Sequence, residues 1–195
     1  IVDGKPELNP VGVLCHRIEA RYKLIVGRPA LRLNVSNSVT GLAGIDIAGI
    51  EIAPLSLGDV VLSENEKDLG CALINFGAGV TSVAIYKGGK LIDLSVVPLG
   101  SNLITKDITA LHVVESEAER LKLTYGAAKA DREHDMEIPL SAADGSVRKL
   151  NLYELNSVVE ARMDEILQNV YARLESSGAL PSLGAGVVIA GGGSA

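Results

Sequence analysis

Two periods of apolar and polar positions run through this chain, and each predicts a different kind of element. Apolar residues alternate with polar ones over 17–26 and again over 45–52, which is the period of strands with one buried face. Between these segments a helical period begins at Pro29 and ends at the glycines at 41 and 44. The first part of the chain is therefore predicted to fold as a strand, helix, strand unit.

Proline and charge patterns indicate where this unit ends. Pro54 follows the second predicted strand, and a short helix is predicted over 55–62. The next segment, 63–68, is polar and acidic, which is typical of a solvated turn. We expect a small α+β subdomain over residues 1–62 and a second lobe over 63–195.

The second lobe begins with three predicted strands. Residues 71–76 form a continuous apolar run, typical of a strand buried on both faces. Apolar segments at 83–86 and 91–97 follow, and Gly88 and Gly89 between them suit a two-residue hairpin. We expect three consecutive antiparallel strands over 71–97. A further buried strand is predicted at 187–190.

Two helices are predicted from their end signals. Ser116 followed by Glu119 has the spacing of a capping box, and Gly126 suits the C-terminal end, so a helix is expected over 117–125. Asn151 and Glu154 form a similar pair at the start of a longer helix. Apolar side chains recur in it every three or four positions: Leu152, Leu155, Val159, Met163, Ile166, Val170 and Leu174.

The long helix is predicted to end before Gly178 and Pro181. Residues 127–150 are polar, and a hairpin turn is expected around Asp144 and Gly145. Within the second lobe we expect a peripheral subdomain over about 101–160. Together the elements indicate a mixed α/β fold.

Composition and charge exclude some classes of function. The 195 residues include no Trp and one Phe, and the net charge is −6, so stacking on nucleic acid and attraction to phosphate backbones are disfavoured. No apolar run reaches the roughly 20 residues of a membrane span, and no signal peptide is visible. Cys15 and Cys71 have neither disulfide nor metal-site spacing, which fits a reducing compartment.

The two ends of the sequence are unusual. The chain begins at Ile1 without an initiator Met, and it stops in a glycine-rich segment directly after a predicted strand. We expect it to be part of a longer protein.

The turn between the first two strands of the second lobe carries the clearest candidate chemistry. Its sequence is Asn75, Phe76, Gly77, Ala78, Gly79, Val80, Thr81 and Ser82. Glycines let the backbone bend sharply and direct several N–H groups toward one point, which suits phosphate oxygens, and hydroxyls add further donors. The alternative is a tight turn without a ligand.

Two further features have both functional and structural interpretations. Gly191, Gly192 and Gly193 follow a buried strand and permit close approach to a ligand, but the same residues suit a simple strand-to-helix loop. Glu119 and Lys122 share a helix face and offer an acceptor and a donor to vicinal ribose hydroxyls. Glu119 is also explained as a capping residue, and Lys122 as its ion-pair neighbour.

Other constellations are not supported. The three histidines, His16, His112 and His134, are far apart in sequence and have no nucleophile or metal-ligand spacing around them. No GxxxxGK segment and no GxGxxG after a first strand are present, which disfavours P-loop and Rossmann proteins.

Several segments resemble one superfamily when taken in order. The run ALINFGAGVTSVAIYKGGKL (72–91) resembles the second phosphate-binding hairpin of the actin, sugar-kinase and heat-shock-chaperone ATPases. SEAERLKLTYG (116–126) is similar to their adenosine-contacting helix, and GVVIAGGGSA (186–195) to their adenosine loop. The resemblance implies a ribonuclease H-like, actin-type ATPase lobe beside the small α+β subdomain.

The chain resembles one family within that group more specifically, the FtsA cell-division proteins. The matching segments are NPVG (9–12), APLSLGDVVLSENEKDLG (53–70), VVPLGSNLITKDI (96–108) and VVEARMDEIL (158–167). This resemblance covers nearly the whole chain. It implies a cytoplasmic protein that binds ATP and Mg²⁺, polymerises like actin and tethers FtsZ filaments to the inner face of the membrane at the division site.

The resemblance also implies roles for particular residues. By this resemblance, the β- and γ-phosphates are bound by the turn residues Gly77, Ala78, Gly79, Val80 and Thr81, and Asn75 lies on the magnesium side. The ribose contacts are assigned to Glu119 and Lys122. The adenosine loop corresponds to Gly191, Gly192 and Gly193. FtsZ is expected near Arg148, Glu160 and Arg162. Self-association and contacts with other division proteins are expected of the N-terminal subdomain, and membrane binding only of a C-terminal helix outside this chain.

The sequence departs from the family pattern in three ways. Asn75 stands where the family usually has an Asp, and its amide brings no negative charge to a divalent cation. Ala78 and Val80 replace the usual Gly and Thr. The first phosphate loop and the metal site of the other lobe, which the family places upstream, are missing. We expect nucleotide binding with weak ATPase activity at most, and poor binding by this part alone.

Three alternative functions are less well supported. A small-molecule kinase of the same fold would need a catalytic Asp in a sugar-binding lobe, for which no candidate is present. A nucleotide-independent interaction module is suggested by Asn75. An actin-like ATP-binding protein of pilus assembly, related to FtsA, is the third alternative, and the segments NPVG and ENEKDLG favour cell division over it.

Overall fold

A computed structural model describes residues 1–7, 9–20, 22–141 and 147–194 and divides the chain into two units, Ile1–Ile50 and Glu51–Ala195. In the first unit, helix α1 (Pro29–Ser36) continues directly into a π-helical turn, Asn37–Leu42. Gly44, with a φ of +65°, follows it. The helix predicted between Pro29 and the glycines is confirmed.

The two strands predicted in the first unit are wrong. The described residues of 17–26 and 45–52 form no strand, and their only ladder contact is an isolated bridge between Val2 and Ile18. A strand needs a neighbour along its length and a surface on which to bury one face. Here the alternating side chains of Tyr22, Leu24 and Val26 are all exposed.

The second unit is built on a mixed sheet of four strands in the order β3-β2-β1-β6. Their bounds are β1 (Cys71–Phe76), β2 (Thr81–Lys87), β3 (Lys90–Val97) and β6 (Gly186–Ala190). The first three strands are antiparallel as predicted, and β6 lies parallel to β1. Gly88 and Gly89 both have positive φ, which the hairpin turn requires.

Two short helices precede the sheet: α2 (Ala53–Val61) and α3 (Glu64–Leu69). The predicted helix 55–62 is confirmed, but the turn predicted over 63–68 is wrong. Ser63 and Glu66 form a capping box, in which each side chain accepts a hydrogen bond from the other residue's N–H, and this begins α3. Lys67 is buried between the carboxylates of Asp59 and Glu64, at 3.1 Å from each.

The division between the units falls earlier in the chain than the predicted boundary at residue 62. Helix α2 lies with the sheet because Gly58 leaves room for the ring of Tyr86, where a Cβ would overlap it. Leu57 and Leu62 pack in the same cluster as Cys71 and Tyr86.

Among the described residues, three α-helices and a hairpin lie between β3 and β6, and short 3-10 turns are found at Thr109–Leu111, Leu180–Ser182 and Gly192–Ser194. The helices and the hairpin are α4 (Ser101–Ile108), α5 (Glu115–Tyr125), the strands β4 (Glu137–Ser141) and β5 (Val147–Asn151), and α6 (Leu152–Ser176). Strands β4 and β5 are antiparallel. The predicted turn residues Asp144 and Gly145 lie outside the described residues.

The predicted helix ends differ in accuracy. The Asn151 side chain accepts a hydrogen bond from the Glu154 N–H at 3.2 Å, so the predicted start of α6 is confirmed. The capping box predicted at Ser116 and Glu119 is wrong, because α5 begins at Glu115 without a side-chain cap. Glu119 has partners on α4 instead, and helix α4 itself was not predicted.

Helix α6 joins the two main cores of the second unit. Its second half, with Ile166 and Val170, packs on the sheet, and its first half, with Leu155 and Val159, packs on α4, α5 and the β4-β5 hairpin. Met163 contacts both clusters. Among the described residues, no helix is long and apolar enough to cross a membrane.

The packing of α6 is testable with two neighbouring residues. Ile166 is fully buried against the sheet, whereas Leu167 is 41% exposed. Ile166→Ala should lower the free energy of unfolding by about 3 kcal/mol, through lost burial and the cavity left behind. Leu167→Ala should lower it by less than about 1 kcal/mol. Urea denaturation measures both, and equal losses would contradict this orientation of α6.

Candidate functional site

The turn between β1 and β2 is closed by one backbone hydrogen bond, from the Gly77 N–H to the Val80 carbonyl at 3.0 Å. In the part of the chain that the structure describes, the N–H groups of Ala78, Gly79 and Val80 donate to no protein acceptor. Backbone donors left this way at a glycine-rich turn are suited to an anion. Thr81 is fully buried, and its hydroxyl donates to the Leu99 carbonyl at 2.9 Å.

Helix α4 begins directly on this turn. The N–H groups of Ser101 and Asn102 donate to the carbonyls of Gly77 and Ala78 at 3.0 and 2.8 Å. A Cβ at Gly100 would lie 2.5 Å from the Ala78 carbonyl oxygen, so this close approach requires glycine. Two of the first N–H groups of α4 are thus satisfied by the turn, and the carbonyls of Gly77 and Ala78 both have a donor.

Glu119 and Lys122 meet at α4. The Lys122 ammonium donates to the Glu119 carboxylate at 2.7 Å and to the Thr105 hydroxyl at 2.9 Å, and that hydroxyl donates to Glu119 at 2.5 Å. The hydrogen bond from Lys122 has the largest effect on the Glu119 carboxylate and lowers its pKa, and the hydrogen bond from Thr105 lowers it further. The Lys122 side chain is mostly buried, while that of Glu119 is 41% exposed and therefore open to a ligand.

The glycine segment after β6 lies against the end of β1. Gly191 has a φ of +99°, and a Cβ there would lie 2.5 Å from the Phe76 carbonyl oxygen and 2.7 Å from Asn75 Oδ1. A Cβ at Gly193 would overlap the Phe76 ring, whereas the space around Gly192 is open. Because β1 and β6 are parallel, their carboxyl ends meet here, the edge at which such sheets bind ligands.

These features surround one cavity of about 470 Å³ in the second unit. Of the predicted ligand contacts, Ala78, Glu119, Lys122, Gly192 and Gly193 line it. The other predicted contacts are not among the lining residues: Asn75, Gly77, Gly79, Val80, Thr81 and Gly191. Its other walls come from α4, α5, α6 and the segment after α5: Ser101, Asn102, Ile104, Leu123, Gly126, Ala128, Val159 and Met163. The cavity thus has a polar end and an apolar side.

No site for a metal held by protein alone is present in the described ranges, where no three His, Cys, Asp or Glu side chains cluster suitably. The Asn75 side chain next to Gly191 offers a neutral amide oxygen. Mg²⁺ commonly binds to phosphate oxygens and keeps several waters.

A separate groove runs between the end of α4 and the start of α6. It consists of two adjoining cavities, of about 500 and 610 Å³, which share Ala110, Leu111 and Glu154. Arg148 lines the first cavity. Arg162 lines the second and is paired with Asp107, at 2.5 and 3.0 Å, and with Glu165.

Glu160, predicted together with Arg148 and Arg162, does not line this groove. Its carboxylate instead accepts a hydrogen bond from the Ala130 N–H at 2.9 Å. The structure therefore places two of the three predicted partner residues along one groove and the third elsewhere.

Comparison with solved structures places this fold among the actin-like proteins. MreB5 of Spiroplasma citri bound to ADP matches with a TM-score of 0.64 at 19% identity, over 86% of this chain and 55% of that one. The PilM-PilN type IV pilus biogenesis complex contains a chain that matches with a TM-score of 0.62 at 18% identity, over 84% of this chain and 41% of that one. The predicted mixed α/β, actin-type fold is confirmed.

Sequence comparison is more specific. Cell division protein FtsA of Porphyromonas gingivalis is 40% identical over 98% of this chain and 40% of its own length. FtsA of Bacillus subtilis is 38% identical over 98% of this chain and 44% of its own length. This chain thus spans less than half of these relatives. Because the family model for cell division protein FtsA matches residues 72–193, which hold the two main core clusters of the second unit and the cavity, the chain belongs to the FtsA family.

Proposed function

We propose that the protein is a cell-division scaffold that binds ATP, assembles with copies of itself and tethers FtsZ filaments to the cytoplasmic membrane at the septum. The observation that carries the nucleotide part is the convergence of three features on one cavity. They are the N–H groups of the turn at Ala78, the Glu119–Lys122 pair and the glycines at 192 and 193.

Each part of ATP has a matching wall. The phosphates are suited to the turn, where backbone donors face an anion without the desolvation cost of a buried charge. The ribose hydroxyls are suited to Glu119 as acceptor and Lys122 as donor. The base is suited to the apolar side chains of Leu123 and Met163.

Magnesium is proposed to enter with ATP, bound to phosphate oxygens and water, with the amide of Asn75 on that side. Mg²⁺ supplies charge neutralisation for the phosphates when it is bound. A neutral amide holds the cation less strongly than a carboxylate and orients its water less well. We therefore propose that ATP acts chiefly as a conformational ligand and is hydrolysed slowly.

The FtsZ contact is proposed for the groove along Arg148 and Arg162. The guanidinium of Arg162 is already paired with Asp107 and Glu165, so its charge is largely neutralised within the fold. Arg148 is exposed on β5 opposite Leu140 and presents its charge beside an apolar wall. A peptide with both a carboxylate and apolar side chains fits such a groove.

The remaining proposed partners are supported only by membership of the FtsA family. Contacts with copies of itself and with other division proteins are proposed for the N-terminal residues 1–62, and membrane attachment for a C-terminal helix outside this chain. The alternative of pilus assembly is weaker, because FtsA relatives are up to 40% identical, whereas the matched PilM-PilN chain is 18% identical.

Gly192 tests the cavity without disturbing the fold. It lines the cavity and has open space around it, so Gly192→Leu should leave thermal stability unchanged and weaken ATP binding about tenfold by filling part of the site. Gly193→Ala serves as the contrast, since its new methyl group overlaps Phe76 and should lower stability. Calorimetry with ATP and Mg²⁺ measures the affinities. Unchanged ATP affinity in a stable Gly192→Leu protein would count against this site.

A substitution at Asn75 tests whether this residue lies beside the bound Mg²⁺. Asn75→Asp should raise the rate of ATP hydrolysis, because a carboxylate restores a negative charge beside the phosphates that attracts Mg²⁺. It should also make ATP binding more dependent on Mg²⁺, since without the cation the new charge repels phosphate. Phosphate release and calorimetry with and without Mg²⁺ measure these effects. Identical behaviour of both proteins would place the cation away from Asn75.

A charge reversal at Arg148 tests whether the groove binds the FtsZ peptide. Arg148→Glu should weaken binding of a fluorescent peptide from the FtsZ C-terminal tail about tenfold, because reversing an exposed charge at an interface introduces repulsion. Arg173→Glu is the matched control, as it makes the same charge change on the exposed surface near the end of α6. Equal effects of the two variants on peptide affinity would show that only net charge matters.

A further inference from the structure

Helix α6 holds the segment that follows α5 through two side chains one turn apart. The Asn156 side-chain oxygen accepts a hydrogen bond from the Ala127 N–H at 2.9 Å. The Glu160 carboxylate accepts one from the Ala130 N–H, also at 2.9 Å. Residues four apart lie on the same helix face, so the two acceptors act on one side of α6. We call residues 126–130 the α5 exit loop.

The α5 exit loop is a wall of the nucleotide cavity. Gly126 and Ala128 line the cavity together with Val159 and Met163, which lie on α6 beside the two acceptors. Residues 127–129 are exposed and belong to no helix or strand. The position of this wall therefore depends on the two bonds from α6 more than on the packing of the loop itself.

A chain of contacts links the β1-β2 turn to the α5 exit loop by way of Lys122. The turn carbonyl of Gly77 accepts from Ser101, and the Ser101 carbonyl lies 3.5 Å from the Lys122 ammonium. The Lys122 carbonyl in turn accepts from the Gly126 N–H at 3.0 Å. The β1-β2 turn, the Glu119–Lys122 pair and the α5 exit loop thus follow one another in the same order as the phosphates, ribose and base of a nucleotide.

The same geometry separates Glu160 from the groove. Successive residues of a helix are about 100° apart, so Glu160 and Arg162 project to nearly opposite sides of α6. Arg162 is engaged with Asp107 at the groove, while Glu160 is engaged with Ala130 beside the cavity.

We propose that Asn156 and Glu160 are positioning residues that hold the α5 exit loop as the base-side wall of the nucleotide site, an inference that rests on the proposed binding of ATP. They touch the nucleotide only through the loop. Their loss would let the wall move, which weakens contacts with the base and leaves the phosphate turn intact.

Three variants of the full-length protein test this role. Glu160→Ala removes the acceptor and should weaken ATP binding about tenfold, in line with the loss of a hydrogen bond to a charged group. Glu160→Gln keeps an acceptor oxygen and should stay within about threefold of wild type. Asp164→Asn removes an exposed carboxylate one turn further along α6 and should leave the affinity unchanged.

Two further readouts separate positioning from a general loss of structure. Amide hydrogen exchange without nucleotide should accelerate at Ala127 and Ala130 in Glu160→Ala, while exchange at Ile166 and Val170 stays at the wild-type rate. Affinity for the FtsZ tail peptide should be unchanged. Together with weakened ATP binding, this pattern supports the proposal.

The contrary outcomes are distinct. Wild-type ATP affinity in Glu160→Ala would overturn the positioning role while the proposed ATP site stands. Weakened binding of the FtsZ peptide with unchanged ATP binding would assign Glu160 to the partner surface instead. A wild-type protein that binds no ATP would overturn the proposed function, and this inference with it.

Discussion

The docking of helix α4 on the β1-β2 turn is the contact on which the site depends. The N–H groups of Ser101 and Asn102 donate to the carbonyls of Gly77 and Ala78, while the turn N–H groups at 78–80 donate to no acceptor in the described ranges. The same helix presents Thr105 to the Glu119–Lys122 pair and Asp107 to Arg162. One helix of eight residues thus contacts the β1-β2 turn, the Glu119–Lys122 pair and a side chain of the groove.

Helix α6 complements this arrangement from the other side. It packs on the sheet with one half and on the peripheral helices with the other, so it fixes the distance between the turn and the groove. Its polar residues divide by face, with Glu160 toward the α5 exit loop and Arg162 toward α4. A ligand in the cavity and a peptide in the groove would therefore press on the same two helices.

Much of the second unit is predictable from sequence because its signals are local. The apolar run of β1, the Gly88-Gly89 hairpin and the period of α6 each specify one element without reference to distant residues. Helix α4 was not predicted because the first N–H groups of this helix donate to backbone carbonyls of the turn, and no side-chain pattern in the sequence indicates such a contact. The strands expected in the first unit failed because alternation indicates a strand only where a neighbour exists to pair with it. The hydrogen bond of Glu160 could not be predicted either, since its partner is a backbone N–H 30 residues away in sequence.

The most direct test of the central claim is a crystal structure of the full-length protein with Mg²⁺ and a non-hydrolysable ATP analogue. In that structure we expect the triphosphate against the N–H groups of Ala78 and Gly79, the ribose beside Glu119 and Lys122, and the base along the α5 exit loop. An analogue bound away from this cavity, or no bound analogue at saturating concentration, would contradict the claim.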